Sequence, residues 1–232
     1  DVTKDITKDN KIDETLKEDK EALEQELKIS VLSDIHYFST SMIKDCDDFT
    51  TAKNRDRKLL EESSAILDSA FAKVKAESPD VLLITGDLTK DGEKLGHMEV
   101  AYKLKKLQEE FKEEGKELKI YVVNGNHDIN NSDAEDFSSG KAVKALKTTP
   151  ADFINIYKDF TFNEASAIFT PSNGEAGSLS YVVSPKEGYT FIGVDSCKYS
   201  SDSTSSGKNE HETDGAVSEE LKDWIIEQAS IA

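Results

Sequence analysis

Long apolar runs are missing from this chain. No stretch of its 232 residues approaches the ~20 apolar positions of a membrane-spanning helix. Positive charge is also scarce: 29 Lys and Arg stand against 47 Asp and Glu, for a formal charge of −18, and no Lys/Arg stripe is visible. That balance argues against binding a nucleic-acid polymer through a basic face. There are two cysteines, Cys46 and Cys197. An even count permits a bridge in an exported protein, but two independent thiols are the expectation. Hydrophobic residues make up 36%, below the usual share, and the polar excess is concentrated in particular segments. The length still suffices for one sizeable domain with a core, and no internal repeat divides it.

What is present is one pattern repeated three times. Lys119 to Asp128 reads K-I-Y-V-V-N-G-N-H-D. Ile120, Val122 and Val123 make a strand, Gly125 supplies a sharp turn, and Asn126, His127 and Asp128 follow at once. Lys28 to Ser33 is another apolar strand, running into Asp34-Ile35-His36. Val81 to Thr85 is a third, running into Gly86-Asp87. Helix-period stretches separate them: Arg55 to Lys75, then Met98 to Glu114 with Gly115 as its C-terminal cap. The order β-α-β-α-β predicts parallel neighbours joined by right-handed crossovers. All three polar clusters then emerge at one sheet edge, where open α/β sheets place their chemistry.

Asp34, His36, Asp87 and Asn126 would bring two carboxylates, an imidazole and an amide oxygen to that edge. No cysteine joins them, so the set suits Mn²⁺, Fe or Zn²⁺ rather than a thiolate-rich structural zinc. A shared carboxylate permits a two-metal centre with a spacing of ~3.5–4 Å, and Asp87, central in the order, is the natural bridge. His127 is expected to serve a substrate oxygen as proton or hydrogen-bond donor, with Asp128 fixing its orientation.

In this order and strand context, D-x-H at Asp34–His36, G-D at Gly86–Asp87 and G-N-H-D at Gly125–Asp128 resemble the calcineurin-like metallophosphoesterases. The longer strings S-D-I-H-Y-F, L-I-T-G-D-L-T-K-D-G-E and V-V-N-G-N-H-D-I-N-N resemble the secreted or surface-anchored bacterial branch compared with cyclic-nucleotide phosphodiesterases. S-L-S-Y at Ser178–Tyr181 and G-V-D-S at Gly193–Ser196 fit that branch too. The resemblance runs from about Ile29 to the C-terminus. It implies an α/β sandwich of two mixed β-sheets flanked by helices, and hydrolysis of a small phosphoester, with a phosphodiester such as a cyclic nucleotide favoured.

Carried over by position, the resemblance puts Asp34 and His36 at a first metal site, Asp87 as the bridge, Asn126 at a second site and His127 on the phosphate. The acidic net charge makes bound cations an electrostatic requirement for a phosphate ligand. The family also has a histidine after a later strand and a G-H-x-H block. The remaining histidines here, His97 and His211, sit in no such block. The expectation is therefore a family member incomplete at its C-terminal end. It would hold one weakly bound ion or none, where the parent holds two of Mn, Fe or Zn, and would turn over barely above background. A non-catalytic surface or binding domain on the same scaffold is the alternative.

Residues 1–27 read as an acidic N-terminal extension and 28–232 as the phosphoesterase domain. The extension fits a disordered leader or a mature chain trimmed from a signal or lipid anchor. The resemblance favours the second, with an extracellular or cell-surface location and an N-terminal anchor in the precursor. Tyr37 to Asn54 and Thr89 to Gly96 read as solvated loops, and His97 as structural or solvent-facing. Thr149-Pro150 reads as N-cap and first helical position, and the aromatics from Phe153 to Phe169 as core packing. Ser178 to Ser184 and Tyr189 to Val194 read as hairpin strands, Asp195 as a loop cap, and Ser200 to Gly215 as a long polar loop. Ser218 is expected to cap a last helix that turns Leu221, Trp224, Ile225 and Ile231 inward.

Overall fold

A computed structural model describes residues 26–198 and 215–231. Strands β1 (Ile29–Leu32), β2 (Val81–Thr85) and β3 (Lys119–Val123) form a parallel sheet in that order. Leu32 is level with Ile84, and Thr85 with Val123, so the three strands finish together. Val81, Leu82, Ile84, Ile120 and Val122 are fully buried. Burial on both faces is what continuous apolar strands of a helix-covered parallel sheet require.

The chain between β1 and β2 departs from the single helix expected over Arg55–Lys75. It forms α1 (Asp47–Arg55) and α2 (Ser63–Glu77), preceded by a 3-10 turn at Thr40–Met42. The expected solvated loop at 37–54 is thus largely helical. Asp47 and Asp48 occupy the first turn of α1, Lys53 and Arg55 its last, and the Cys46 sulfur accepts from the Phe49 amide; each placement favours the helix dipole or cap. Phe49 then packs with Phe38, Met42, Leu60 and Phe137 in a small second core.

Helix α3 (Lys94–Glu113) buries Val100, Leu104, Leu107 and Phe111. It ends before Gly115, whose φ of +74° is the left-handed cap conformation. Helix α4 (Pro150–Tyr157) opens with a capping box between Thr149 and Asp152 and runs into a π-helical turn at Lys158–Phe162. Phe153, Tyr157, Phe160 and Phe162 join the main core, and Phe169 packs on Trp224 at 5.6 Å between ring centroids.

The second sheet is antiparallel, β6 (Ala167–Ile168), β7 (Tyr181–Lys186) and β8 (Tyr189–Gly193). Its hairpin turns on Glu187-Gly188 alone, with Gly188 at φ +80°. A two-stranded ribbon, β4 (Glu135–Asp136) and β5 (Val143–Lys144), stands apart. In α5 (Glu219–Ile231) the Ser218 hydroxyl accepts from the Leu221 amide at 3.0 Å. Leu221 is buried and Trp224 and Ile225 are half-buried, but Ile231, expected inward, is 74% exposed. The chain is therefore a mixed α/β protein, with one parallel and one antiparallel three-stranded sheet among the described residues. Both cysteines are free thiols. Among the described residues no helix is long and apolar enough to cross a membrane. His211 and nearly all of the expected polar loop at 200–215 lie outside the described residues, as does most of the extension.

Candidate metal centre

The segments beyond β1 and β2 stay zipped after the strands end. Asp34 N donates to Gly86 O at 3.2 Å, His36 N to Asp87 O at 2.9 Å and Tyr37 N to Leu88 O at 3.0 Å. Within this ladder Asp34, His36 and Asp87 take φ values of +54°, +45° and +50°. Non-glycine residues rarely adopt that conformation, and it clusters at functional sites. Its result is that ligand atoms of all three side chains lie within 4.8 Å of one another. His36 Nε2 is 3.8 Å from Asp34 Oδ1 and 3.8 Å from Asp87 Oδ2, too far for hydrogen bonds. Burial first, then the charge of Lys58, lowers the His36 pKa and keeps the ring in the neutral form that ligates metals. Two carboxylates and a neutral imidazole facing one another fit a divalent cation.

The third strand's turn closes on Asp87. His127 N donates to Asp87 Oδ1 at 3.0 Å. A Cβ at Gly125 would lie 2.1 Å from the same oxygen, so only glycine permits the approach. Asp87 is thereby central, between His36 and the β3 turn. Asn126 reaches this edge half-buried, between two residues packed against Asp87.

His127 stands beside the group, its ring edge-on to His36 with centroids 5.1 Å apart. Its orienting partner is not Asp128. Nδ1 lies 2.9 Å from Asp91 Oδ1 and 3.1 Å from Lys58 Nζ. Asp128 is fully buried beneath the strand ends. Its carboxylate accepts from the amides of Leu88 (3.1 Å), Thr89 (3.0 Å) and Gly125 (2.8 Å) and from the Thr89 hydroxyl (3.3 Å). The segments after β2 and β3 leave those amides without a strand partner, so the carboxylate is drawn inward to satisfy them and binds the β2 and β3 turns together. Burial outweighs the amides and raises its pKa to about 7.

Asp91 lies in the stretch expected to be solvated, yet Thr89, Lys90, Asp91 and Glu93 are all buried. They pair with one another, although Glu93 Oε1 has no partner among the described residues. Lys90 Nζ pairs with Asp91, Asp91 N donates to Glu93 Oε2, and Gly92 N donates to Thr89 Oγ1. Burial alone would raise the Asp91 carboxyl, but the His127 hydrogen bond and the Lys90 and Lys58 charges hold it at about 2. For His127 burial lowers the pKa, and the Asp91 bond outweighs it, so the net shift is upward. Asp91 and Lys58 are the site residues that sequence reasoning missed; a second carboxylate four positions after Asp87 was the available signal.

His97 is structural. It is fully buried, with Nδ1 2.9 Å from the Tyr157 hydroxyl and Nε2 3.1 Å from Thr89 Oγ1. Burial lowers its pKa to about 3, so its 3.5 Å approach to Asp128 is no ion pair. Asp195 caps loops as expected, accepting from Asn124 Nδ2 at 3.0 Å and Cys197 N at 3.1 Å.

A cleft of about 1180 Å³ opens over the group, lined by Asp34, His36, Lys58, Lys90, Asp91 and His127 among others. Carboxylates and an imidazole gathered at parallel strand ends, with a carboxylate-held histidine alongside, make a candidate divalent-metal site. The family model for the calcineurin-like phosphoesterases matches residues 27–226, and the chain belongs to that family. No curated protein matches it. Membership implies metal-dependent phosphoester hydrolysis.

Proposed function

We propose that this chain hydrolyses phosphodiesters with a divalent ion held by Asp34, His36 and Asp87, and with His127 as proton donor. The observation that carries this reading is the meeting of those three donors within 4.8 Å, with the His127–Asp91 pair at their side. Asn126 would offer its side-chain oxygen to a second ion. Bound divalent ions supply Lewis-acid activation of water and of the phosphoryl oxygens. The protein supplies the rest. The Asp91 carboxylate accepts the Nδ1 proton of His127, which fixes the ring and leaves Nε2 as the atom that hands a proton to the departing oxygen. Lys58 places a positive charge against the same ring and lines the cleft. The strings shared with the secreted branch support a cyclic nucleotide or related diester as substrate, and an extracellular or cell-surface location.

The test is release of p-nitrophenol from bis(p-nitrophenyl) phosphate with Mn²⁺, compared with Asp87→Asn. Mn²⁺-dependent release that vanishes in the variant is the expected result. Release that ignores both Mn²⁺ and Asp87 would overturn the reading, and no release at all would favour the binding-domain alternative.

A further inference from the structure

The chain contains two arginines, Arg55 and Arg57. Both line the cleft over Asp34, His36 and His127. In a chain with 47 acidic residues, both guanidiniums are exposed, and among the described residues neither is engaged in an ion pair or side-chain hydrogen bond. The neighbouring lysines differ. Lys58 Nζ donates to the Lys90 carbonyl at 2.9 Å and lies 3.8 Å from Asp91 Oδ1, and Lys90 Nζ is occupied by Asp91 and, at 3.9 Å, Asp56. Asp56, between the arginines, also takes the Lys58 amide at 2.9 Å. The other carboxylates lining the cleft are Asp48, Asp133 and Glu135; Asp48 accepts from the Ala142 amide at 2.9 Å and Glu135 lies 4.0 Å from Lys144, both toward the β4–β5 ribbon.

Two unengaged guanidiniums beside a phosphoester site have a defined chemistry. Each presents a planar fork of donors that matches a phosphate bidentately, which an ammonium does not. At the end of α1 Arg55 also complements the helix dipole, but a lysine serves that purpose as well. We propose that Arg55 and Arg57 form a subsite for a second phosphate of the substrate, distinct from the phosphoester at Asp34, His36 and Asp87. The proposal rests on the phosphoester-hydrolase reading. It narrows the substrate from a cyclic mononucleotide to a diester that carries a further phosphate.

Calorimetric binding in Mn²⁺ decides it, with two ligand pairs: thymidine 5′-phosphate against thymidine 3′,5′-bisphosphate, and fructose 6-phosphate against fructose 1,6-bisphosphate. The wild-type chain is expected to prefer the bisphosphate of at least one pair by about tenfold or more, as charge-assisted hydrogen bonds permit. Arg55→Ala/Arg57→Ala should erase that preference while leaving monophosphate affinity unchanged. Arg55→Lys/Arg57→Lys, which retains charge, should recover only part of it. Circular dichroism and thermal melts establish that the variants fold. No preference in the wild type, a preference kept by the alanine variant, or full recovery with lysine overturns the proposal. If bis(p-nitrophenyl) phosphate is not cleaved but the preference is found, the hydrolase reading fails and the phosphate subsite stands.

Discussion

Asp91 Oδ1 lies 2.9 Å from Nδ1 of His127, while Asp128, the next residue in the chain, turns its carboxylate away to the amides of Leu88, Thr89 and Gly125. The histidine is therefore held from the β2 side of the sheet edge. Asp91→Asn should lower kcat by about 10²-fold, within the ~10²–10⁴-fold that a positioned proton donor contributes, with KM little changed. Adding His127→Asn should cost little more, because the two act as one unit. Steady-state kinetics on the four combinations checks this; additive losses would contradict it.

Gly125 is a steric requirement of the metal group. Alanine would bring its Cβ to 2.1 Å from Asp87 Oδ1 and 2.4 Å from Asp87 N, and one of the two turns must move. Gly125→Ala should weaken Mn²⁺ binding markedly and cost ~1–3 kcal/mol of stability, as overpacking does. Mn²⁺ titration and urea melts measure both. Unchanged Mn²⁺ affinity would show that Asp87 does not hold the ion.

His97 makes the fold acid-sensitive. Its folded pKa, about 3, lies below the ordinary value of 6.5 because the ring is buried. The unfolded chain thus binds a proton that the folded chain refuses between those values. Stability is fully present above pH 6.5 and is lost as pH falls toward 3, by an amount on the order of a few kcal/mol. His97→Gln lacks this dependence. The wild type should be the more stable at pH 7, and the gap should narrow as pH falls to 4, read from urea melts at each pH. A gap that widened on acidification would contradict the assignment of a neutral buried ring.

The sheet and the three candidate metal ligands were legible in the sequence for a physical reason. Apolar β-branched runs that stop at Asp34-Ile35-His36, Gly86-Asp87 and Gly125 are local signals, and parallel crossovers convert them into one edge. Asp91 was not legible because a polar loop declares itself buried only through its mutual partners Lys90, Glu93 and His127. Helix α1 was hidden for a similar reason: Phe49 packs on Phe137, far along the chain. Arg55 and Arg57 were absorbed into one helical pattern because Leu59, Leu60 and Ile66 keep helical spacing. In the fold the helix is interrupted between Arg55 and Ser63, where Leu60 enters the small second core and Leu59 is exposed, and the segment bends around the cleft.

The central claim is that Asp34, His36 and Asp87 hold a divalent ion. The most direct measurement is an anomalous difference map from crystals grown in Mn²⁺. The account predicts a strong peak in contact with Oδ of Asp34, Nε2 of His36 and Oδ of Asp87, and its loss in Asp87→Asn. No peak there at millimolar Mn²⁺, or one held by other residues, would contradict it.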